Sequence, residues 1–303
     1  MFFEGSEKKV EIVIGGADSL RPHKEFWEQV VARANATVLS TISSNSHDAY
    51  LLSESSLFVF RDRVIMITCG TTSLTDAIEE IIRFVGVETI ELLMYERKNE
   101  HNPEAQPSSF EDDISKLRGF IPGEVIRFGE SDGTRVFLFH YARPTYEPHG
   151  QDMTLEILMH ELSDSVRENF SCETTLPTLY QRTDINQIFD GYECDDFLFE
   201  PMGYSVNAVK EKSYYTFHVT PEKACSYASF ETNHIWNGNY NSTINKVLGI
   251  FKPKKFALVL FHKEGKELSN PIGYQAVKET RVTSCGYQIL FRDFRLIEES
   301  PDI

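Results

Sequence analysis

Hydrophobic and polar positions alternate along much of this chain, and the alternation predicts strands more often than helices. Residues 10–14 (VEIVI) alternate and stop at Gly15-Gly16, whereas 24–34 place Phe26, Val30 and Val31 at helical spacing. Two strand-like runs follow, 50–60 and 64–68, joined as a hairpin by Arg61-Asp62-Arg63. The first run is interrupted by Ser53-Glu54-Ser55-Ser56, four polar residues whose burial is unfavourable unless each group is hydrogen-bonded. Thr72-Ser73 can cap a helix whose apolar face is Leu74, Ile78, Ile81, Ile82 and Val85, ended by Gly86. A strand at 87–95, a polar connection at 103–109, a capping box of Ser109 and Asp112 opening a short helix to Leu117, and a strand at 136–141 complete the first half. It closes in a loop at 144–150 with two prolines and a glycine.

The second half repeats this order. Residues 154–162 are apolar and open to either a strand or a helix reading; 203–209 and 213–220 form a hairpin across Lys210-Glu211-Lys212; 225–232 is a strand. Asn241 or Ser242 caps a helix containing Ile244, Val247, Leu248 and Phe251, and strands follow at 256–262, 274–283 and 286–297. Hairpin, helix and strand thus occur twice. The reading is an α+β chain, residues 1–303 as a single domain of two similar halves, approximately 1–147 and 148–303. Each half is an antiparallel sheet with helices on one face, and the two pack sheet to sheet as a four-layer α/β/β/α sandwich produced by internal duplication.

Composition narrows the function. With 303 residues, 41% hydrophobic and 12% aromatic, the chain can bury a sizeable core. Thirty Lys and Arg against 46 Asp and Glu give a net charge of −16, which argues against nucleic acid as a partner and suits a cationic small substrate. Five cysteines (Cys69, Cys172, Cys194, Cys225, Cys285) are scattered without a CxxC pair, so neither a disulfide framework nor a zinc site is indicated and a reduced, cytoplasmic setting is expected. The opening MFFEGSEKKVEIVIGG carries charge within its first ten residues and reads as neither signal peptide nor membrane span; no later run reaches spanning length, so no membrane association is expected.

Several blocks carry a specific resemblance: FEGSEK at 3–8, Ala49-Tyr50 with LSESSLFV at 52–59, TCGT at 68–71, TLEILM at 154–159, PMGYSVN at 201–207, HVTPE at 218–222 and SYASFETN at 226–233. Together and in this order, the chain resembles eukaryotic S-adenosylmethionine decarboxylases, the pyruvoyl-dependent lyases that supply the aminopropyl donor for spermidine and spermine biosynthesis. The resemblance implies a zymogen that cuts itself between Glu54 and Ser55, giving a β chain of 1–54 and an α chain of 55–303. Ser55 would become a covalent pyruvoyl group, with no metal and no pyridoxal phosphate. That carbonyl would form a Schiff base with S-adenosylmethionine and draw off the electrons as carbon dioxide leaves, a role no ordinary side chain fills.

Residue roles follow from the same resemblance. His218 would be the base in self-processing, Ser205 would stabilise the processing intermediate, and Cys69 would return a proton to the substrate carbon. Phe3 and Phe199 would sandwich adenine, and aromatic faces also attract a sulfonium cation. Glu222 would hold the ribose hydroxyls, and Glu4, Glu7 and Glu54 would be acidic groups around the site. Asp152, Glu156 and Glu231, with Glu11 as an addition, occupy the places where many members bind putrescine as an activator. Ile67 stands where several members carry a basic residue linked to that region, and Met202 replaces a cysteine beside GYS. Taken singly, His218 would be a satisfied core histidine, Cys69 a small buried hydrophobe and the acids a solvated face; their joint occurrence in order is what carries the reading.

Two other readings are distinguishable. A catalytically inactive regulatory paralogue that activates a partner decarboxylase would have lost Ser55, His218 or Ser205, all of which are present. A nucleoside-binding module would need Phe3, Phe199 and Glu222 but not Glu54-Ser55. Members of the family occur as monomers, homodimers and paralogous heterodimers, and the sequence leaves that choice open.

Overall fold

In the computed structural model, period-2 alternation in the strands sorts residues between a helical face and the face shared by two sheets. The structure describes residues 3–16, 18–98, 100–130, 133–150, 152–171 and 173–297; Cys172 lies outside them. The first half runs β1 (Lys8–Ile14), α1 (Lys24–Arg33), β2 (Val38–Ser43), β3 (His47–Leu52), β4 (Ser55–Phe60), β5 (Arg63–Thr68), α2 (Leu74–Val85), β6 (Ile90–Lys98), α3 (Phe110–Arg118), β7 (Glu124–Phe128) and β8 (Val136–Ala142). The second runs β9 (Met153–His160), α4 (Asp164–Glu168), α5 (Leu176–Thr183), β10 (Glu193–Leu198), β11 (Tyr204–Lys210), β12 (Ser213–Thr220), β13 (Tyr227–Thr232), α6 (Tyr240–Phe251), β14 (Lys255–His262), β15 (Tyr274–Ser284) and β16 (Tyr287–Leu296).

The strands form two eight-stranded antiparallel sheets, ordered β2-β3-β4-β5-β1-β6-β8-β7 and β10-β11-β12-β13-β9-β14-β16-β15. The second order repeats the first, with β9 in the place of β1 and β12 in the place of β4. On the first sheet Val10, Ile12, Leu57, Val59 and Met66 pack against Trp27, Ile78 and Ile114 of the helices. On the second, Leu155, Ile157, Phe217 and Phe230 pack against Leu179, Val247 and Phe251. The opposite faces meet: Met94, Leu138, Val259 and Phe291 form one apolar patch between the sheets, and Phe58, Ile65, Val209 and Tyr214 form another. The result is the expected four-layer α/β/β/α sandwich.

Between those patches the shared layer is charged. Lys9 and Glu11 alternate with Val10 and Ile12 on β1 and therefore point toward the second sheet. Lys9 Nζ lies 2.6 Å from Glu156 on β9 and 2.9 Å from Glu231 on β13. Lys98 Nζ lies 3.2 Å from Glu156 and 3.5 Å from Glu96. Arg63 reaches Glu11 at 3.1 Å and both oxygens of Asp152 at 2.9 and 2.5 Å. Five carboxylates thus face three cations. Burial raises the Glu96 carboxyl to about 7, helped by the Glu156 charge, and pushes Glu11 and Glu231 upward too. Burial would raise Glu156 as well, but the Lys9 and Lys98 ammoniums outweigh it and hold that carboxyl down.

Several elements depart from the sequence expectation. The predicted 50–60 strand is two strands, β3 and β4, which turn at Ser53-Glu54 so that Leu52 pairs with Ser55. The ambiguous 154–162 run is the strand β9, and the 87–95 strand begins at Ile90 after a single 3-10 turn at Val87–Thr89. Asn239, not Asn241 or Ser242, caps α6, its side chain accepting the Ser242 N–H at 2.9 Å. The unanticipated strands β2, β7 and β10 all lie at sheet edges, where half-exposed positions weaken the apolar alternation.

Replacing Lys9 by Met would leave Glu156 and Glu231 as buried neighbours without their shared counterion, a change expected to destabilise by about 3–5 kcal/mol. In that variant Glu156 keeps Lys98, whereas the Glu231 carboxyl, already pushed upward by burial, would lie further above its unfolded value. Its contribution is therefore favourable below the unfolded value and lost as pH rises. Urea unfolding should show a larger loss at pH 8 than at pH 5; a loss under about 1 kcal/mol at pH 8 would mean that the ammonium does not hold the layer together.

Candidate active site

The polar interruption noticed in the sequence is a tight two-residue turn, and its unusual dihedral falls on Ser55, with φ of 125°. A non-glycine residue held there stores on the order of 1–3 kcal/mol. The peptide bond before it is fixed from the neighbouring strand. The Cys69 backbone N–H donates to the Glu54 carbonyl oxygen at 3.0 Å, and the Cys69 thiol donates to the same oxygen at 3.5 Å. Ser55 is 1% exposed, and its hydroxyl donates to Cys69 Sγ at 3.3 Å. A hydroxyl therefore sits beside a carbonyl already polarised by a donor, the arrangement an acyl shift needs.

Cys69 is placed by the loop after β5. Gly70 takes φ of 64°, and a Cβ there would come within 3.0 Å of both Glu54 Oε2 and the Phe3 ring, so glycine is required. Lys8 pins the loop from beneath, its Nζ donating to the Gly70 and Thr72 carbonyls at 3.2 Å each. Burial raises the Cys69 thiol well above the ordinary cysteine range, with the Glu54 charge adding to it, so the sulfur keeps its proton. Burial likewise raises the Glu54 carboxyl to about 7, and its Oε2 is buried without a partner.

Across the interface, His218 of β12 lies in register with Ser205 of β11 and Ser229 of β13. Its Nδ1 meets Glu7 Oε1 at 2.7 Å, and Glu7 also accepts from the Ser229 hydroxyl and, at 3.2 Å, from Tyr227. Burial works to raise the Glu7 carboxyl, but the His218 hydrogen bond and charge, with Lys98 and Ser229, bring it below its ordinary value. On the other side, His218 Nε2 lies 2.8 Å from the Ser56 hydroxyl and 3.1 Å from Thr216. Ser56 in turn donates to Asn207 Oδ1 at 2.6 Å. Ser56, fully buried, is thus the partner of His218 in the intact chain.

A cavity of about 570 Å³ opens onto these groups. Glu54, Ser55, Cys69, Ser205 and His218 line one part of its wall, and Phe3, Phe199 and Glu222 line another. Eight sequence-predicted residues are brought together there. Glu222 Oε1 accepts the Phe3 backbone N–H at 2.7 Å. Glu7 lies behind His218 and does not line the cavity. Glu4 does not line it either: its Oε2 accepts the backbone N–H groups of His101 and Asn102, each at 2.8 Å, which makes it a clamp on that loop. Asp152, Glu156, Glu231 and Glu11 belong to the charged layer, where Arg63, Lys9 and Lys98 supply their counterions. In the place where the resemblance implies a diamine, the Lys9 ammonium bridges Glu156 and Glu231.

Sequence reasoning missed Lys9, Lys98, Ser56, Asn207 and Thr216. Lys9 had a signal, a charge alternating with valine and isoleucine in a strand bounded by apolar runs; the others needed the facing sheet.

A family described as adenosylmethionine decarboxylase matches residues 1–297. A relative from Dictyostelium discoideum, named S-adenosylmethionine decarboxylase proenzyme, is 34% identical, covering 89% of this chain and 77% of the relative. Those of the same name from Drosophila melanogaster and Xenopus laevis are 33% and 31% identical, covering 93% and 98% of this chain and 87% and 96% of their own. The crystal structure of the Trypanosoma brucei AdoMetDC-delta26 monomer superposes with a TM-score of 0.63 at 27% identity, covering 80% of this chain and 99% of that one. With its two stacked antiparallel sheets and a match that runs almost from end to end, the chain belongs to the adenosylmethionine decarboxylase family.

Proposed function

We propose that this protein is a self-processing S-adenosylmethionine decarboxylase, cut between Glu54 and Ser55. The relatives' names support the activity, and one contact carries the processing: the Glu54 carbonyl oxygen held by the Cys69 N–H beside the buried Ser55 hydroxyl. Ser55 Oγ adds to the Glu54 carbonyl carbon, the carbon–nitrogen bond breaks, and the Ser55 nitrogen takes a proton, leaving an ester in place of the amide. Release of the φ strain at Ser55 favours that step, each 1.4 kcal/mol being about tenfold in rate. A base then removes the Ser55 Cα proton and the Glu54 carboxylate departs by β-elimination; water releases ammonia from the resulting enamine and leaves a pyruvoyl group. His218, oriented by Glu7, is the base; its Nε2 must first leave Ser56.

The residues fit such a group, because Ser55 is buried at the head of β4 and, among the described residues, its hydroxyl bonds only the Cys69 sulfur. A pyruvoyl carbonyl supplies the electron sink that takes up the pair released with carbon dioxide. The chain's own residues do the rest. Phe3 and Phe199 offer faces for a planar base, and the Glu222 carboxylate accepts from sugar hydroxyls. Cys69, whose thiol stays protonated, donates the proton to the substrate carbon. Lys9, lodged between Glu156 and Glu231, takes the place of one end of a diamine, so the protein works without putrescine.

Ser55→Ala should remain one chain on denaturing mass analysis, whereas the unaltered protein gives residues 1–54 and a remainder without a free N-terminal amine. Both fragments from the variant would identify another nucleophile. His218→Ala should stall at the ester and be cut by hydroxylamine; resistance would remove His218 from the elimination step. Millimolar putrescine should leave kcat/KM of the unaltered enzyme unchanged, and a severalfold rise would show that a diamine finds room in the charged layer.

A further inference from the structure

A second cavity, of about 530 Å³, lies on the far side of the loop that carries Glu222. Cations dominate its wall: Arg167, Lys223, Lys254 and Lys255 line it, against the carboxylates of Glu161 and Asp164. Those two acids are already committed, Glu161 to Lys255 at 2.9 Å and Asp164 to Arg167. Lys223 and Lys254 have no ion-pair partner among the described residues, so the cavity carries an excess of two positive charges in a chain whose net charge is −16. Local sign, rather than the sign of the whole molecule, decides what enters a cleft.

The cavity also has an unanswered buried polar group. His160, at the end of β9, lines it while only 5% exposed, and its Nε2 has no hydrogen-bond partner. The ring lies 5.1 Å from that of Tyr227 and 6.4 Å from that of His101. Burial, then Lys255 and His101, depress its pKa to about 3, so it faces the cavity as a neutral imidazole able to donate one N–H. A buried donor without a partner is costly unless a ligand or water supplies an acceptor. Two free ammonium groups and an imidazole N–H around one space suit a compact oxyanion, and the volume admits a small ester as well as the free ion.

We propose that this cavity is a second ligand site that binds a phosphate-class oxyanion, held by Lys223, Lys254 and His160. Lys223 lines the substrate cavity as well, so an anion bound here neutralises a positive charge beside it. On the reading that the substrate is cationic S-adenosylmethionine, occupation lowers KM and leaves kcat in place.

Calorimetric titration of the purified, processed protein with inorganic phosphate, against sodium chloride of equal ionic strength, tests the site without reference to activity. Saturable 1:1 binding is expected, weakened roughly tenfold in Lys254→Gln and unchanged in Lys24→Gln, an exposed lysine on α1. Glycerol phosphate in place of phosphate distinguishes the sources: tighter binding assigns the site to phosphomonoesters, equal or weaker binding to the free ion. Heats no different from chloride, or equal weakening by the two substitutions, would overturn the proposal. Loss of decarboxylase activity with phosphate binding intact would instead count against the catalytic reading alone.

Discussion

The placement of Lys9 is the constraint on which the rest of the structure depends. Its ammonium joins a strand at the centre of one sheet to two strands of the other through Glu156 and Glu231. Removal of charges from water is opposed by several kcal/mol per ion, and close pairing recovers this only when the geometry is good. A charged layer is therefore a poor general adhesive but a selective one. Apolar patches at either end would tolerate sliding of one sheet over the other, whereas an ion bridging two carboxylates from different strands would not. Registry between the sheets is what the proposed catalytic groups need, since Ser55 and Cys69 come from one sheet and Ser205 and His218 from the other.

The charged layer is continuous with the site. Lys98, paired with Glu156, adds its charge to the field that keeps Glu7 ionised, and the Lys98 N–H donates to the Glu7 carbonyl at 2.9 Å. Glu7 fixes the imidazole of His218, and Ser56 and Thr216 hold its other nitrogen. An orienting carboxylate behind a histidine is a common device for setting which ring nitrogen meets the reacting atom. Here the carboxylate is itself set by the contact between the sheets. The strained residue stands on rigid strands rather than on a mobile loop, which allows an unfavourable dihedral to persist.

Much of this was legible in the chain, for reasons that differ by residue. Central strands such as β1, β9 and β12 are buried along their length and show apolar or alternating runs; edge strands such as β2 and β10 are half exposed and do not. The turn at Ser53-Glu54 looked like a flaw within one strand because neither glycine nor asparagine marks it, and the dihedral that would favour glycine falls on a serine. Cys69, His218 and Glu222 could be named because they sit in motifs that match a family. Glu4 was assigned to the pocket by the same logic, yet its carboxylate is taken by two backbone amides of a loop about a hundred residues away. Lys223 and Lys254 were silent, because an exposed lysine in sequence is indistinguishable from a solvated surface until a cavity forms around it.

The two-residue turn between β3 and β4 also bears on the order of events in the life of the chain. Residues before it include β1, which lies between β5 and β6 in the middle of the first sheet and carries Lys9. A break at the turn would leave each new end inside a strand still laddered to its neighbours, with the shorter piece interwoven with the longer. Neither piece alone could rebuild that sheet, because the central strand and its partners would reside on different molecules. A scission at this turn would therefore have to follow folding, and a chain so cut would owe its persistence to slow unfolding: once opened, it would have no intramolecular route back.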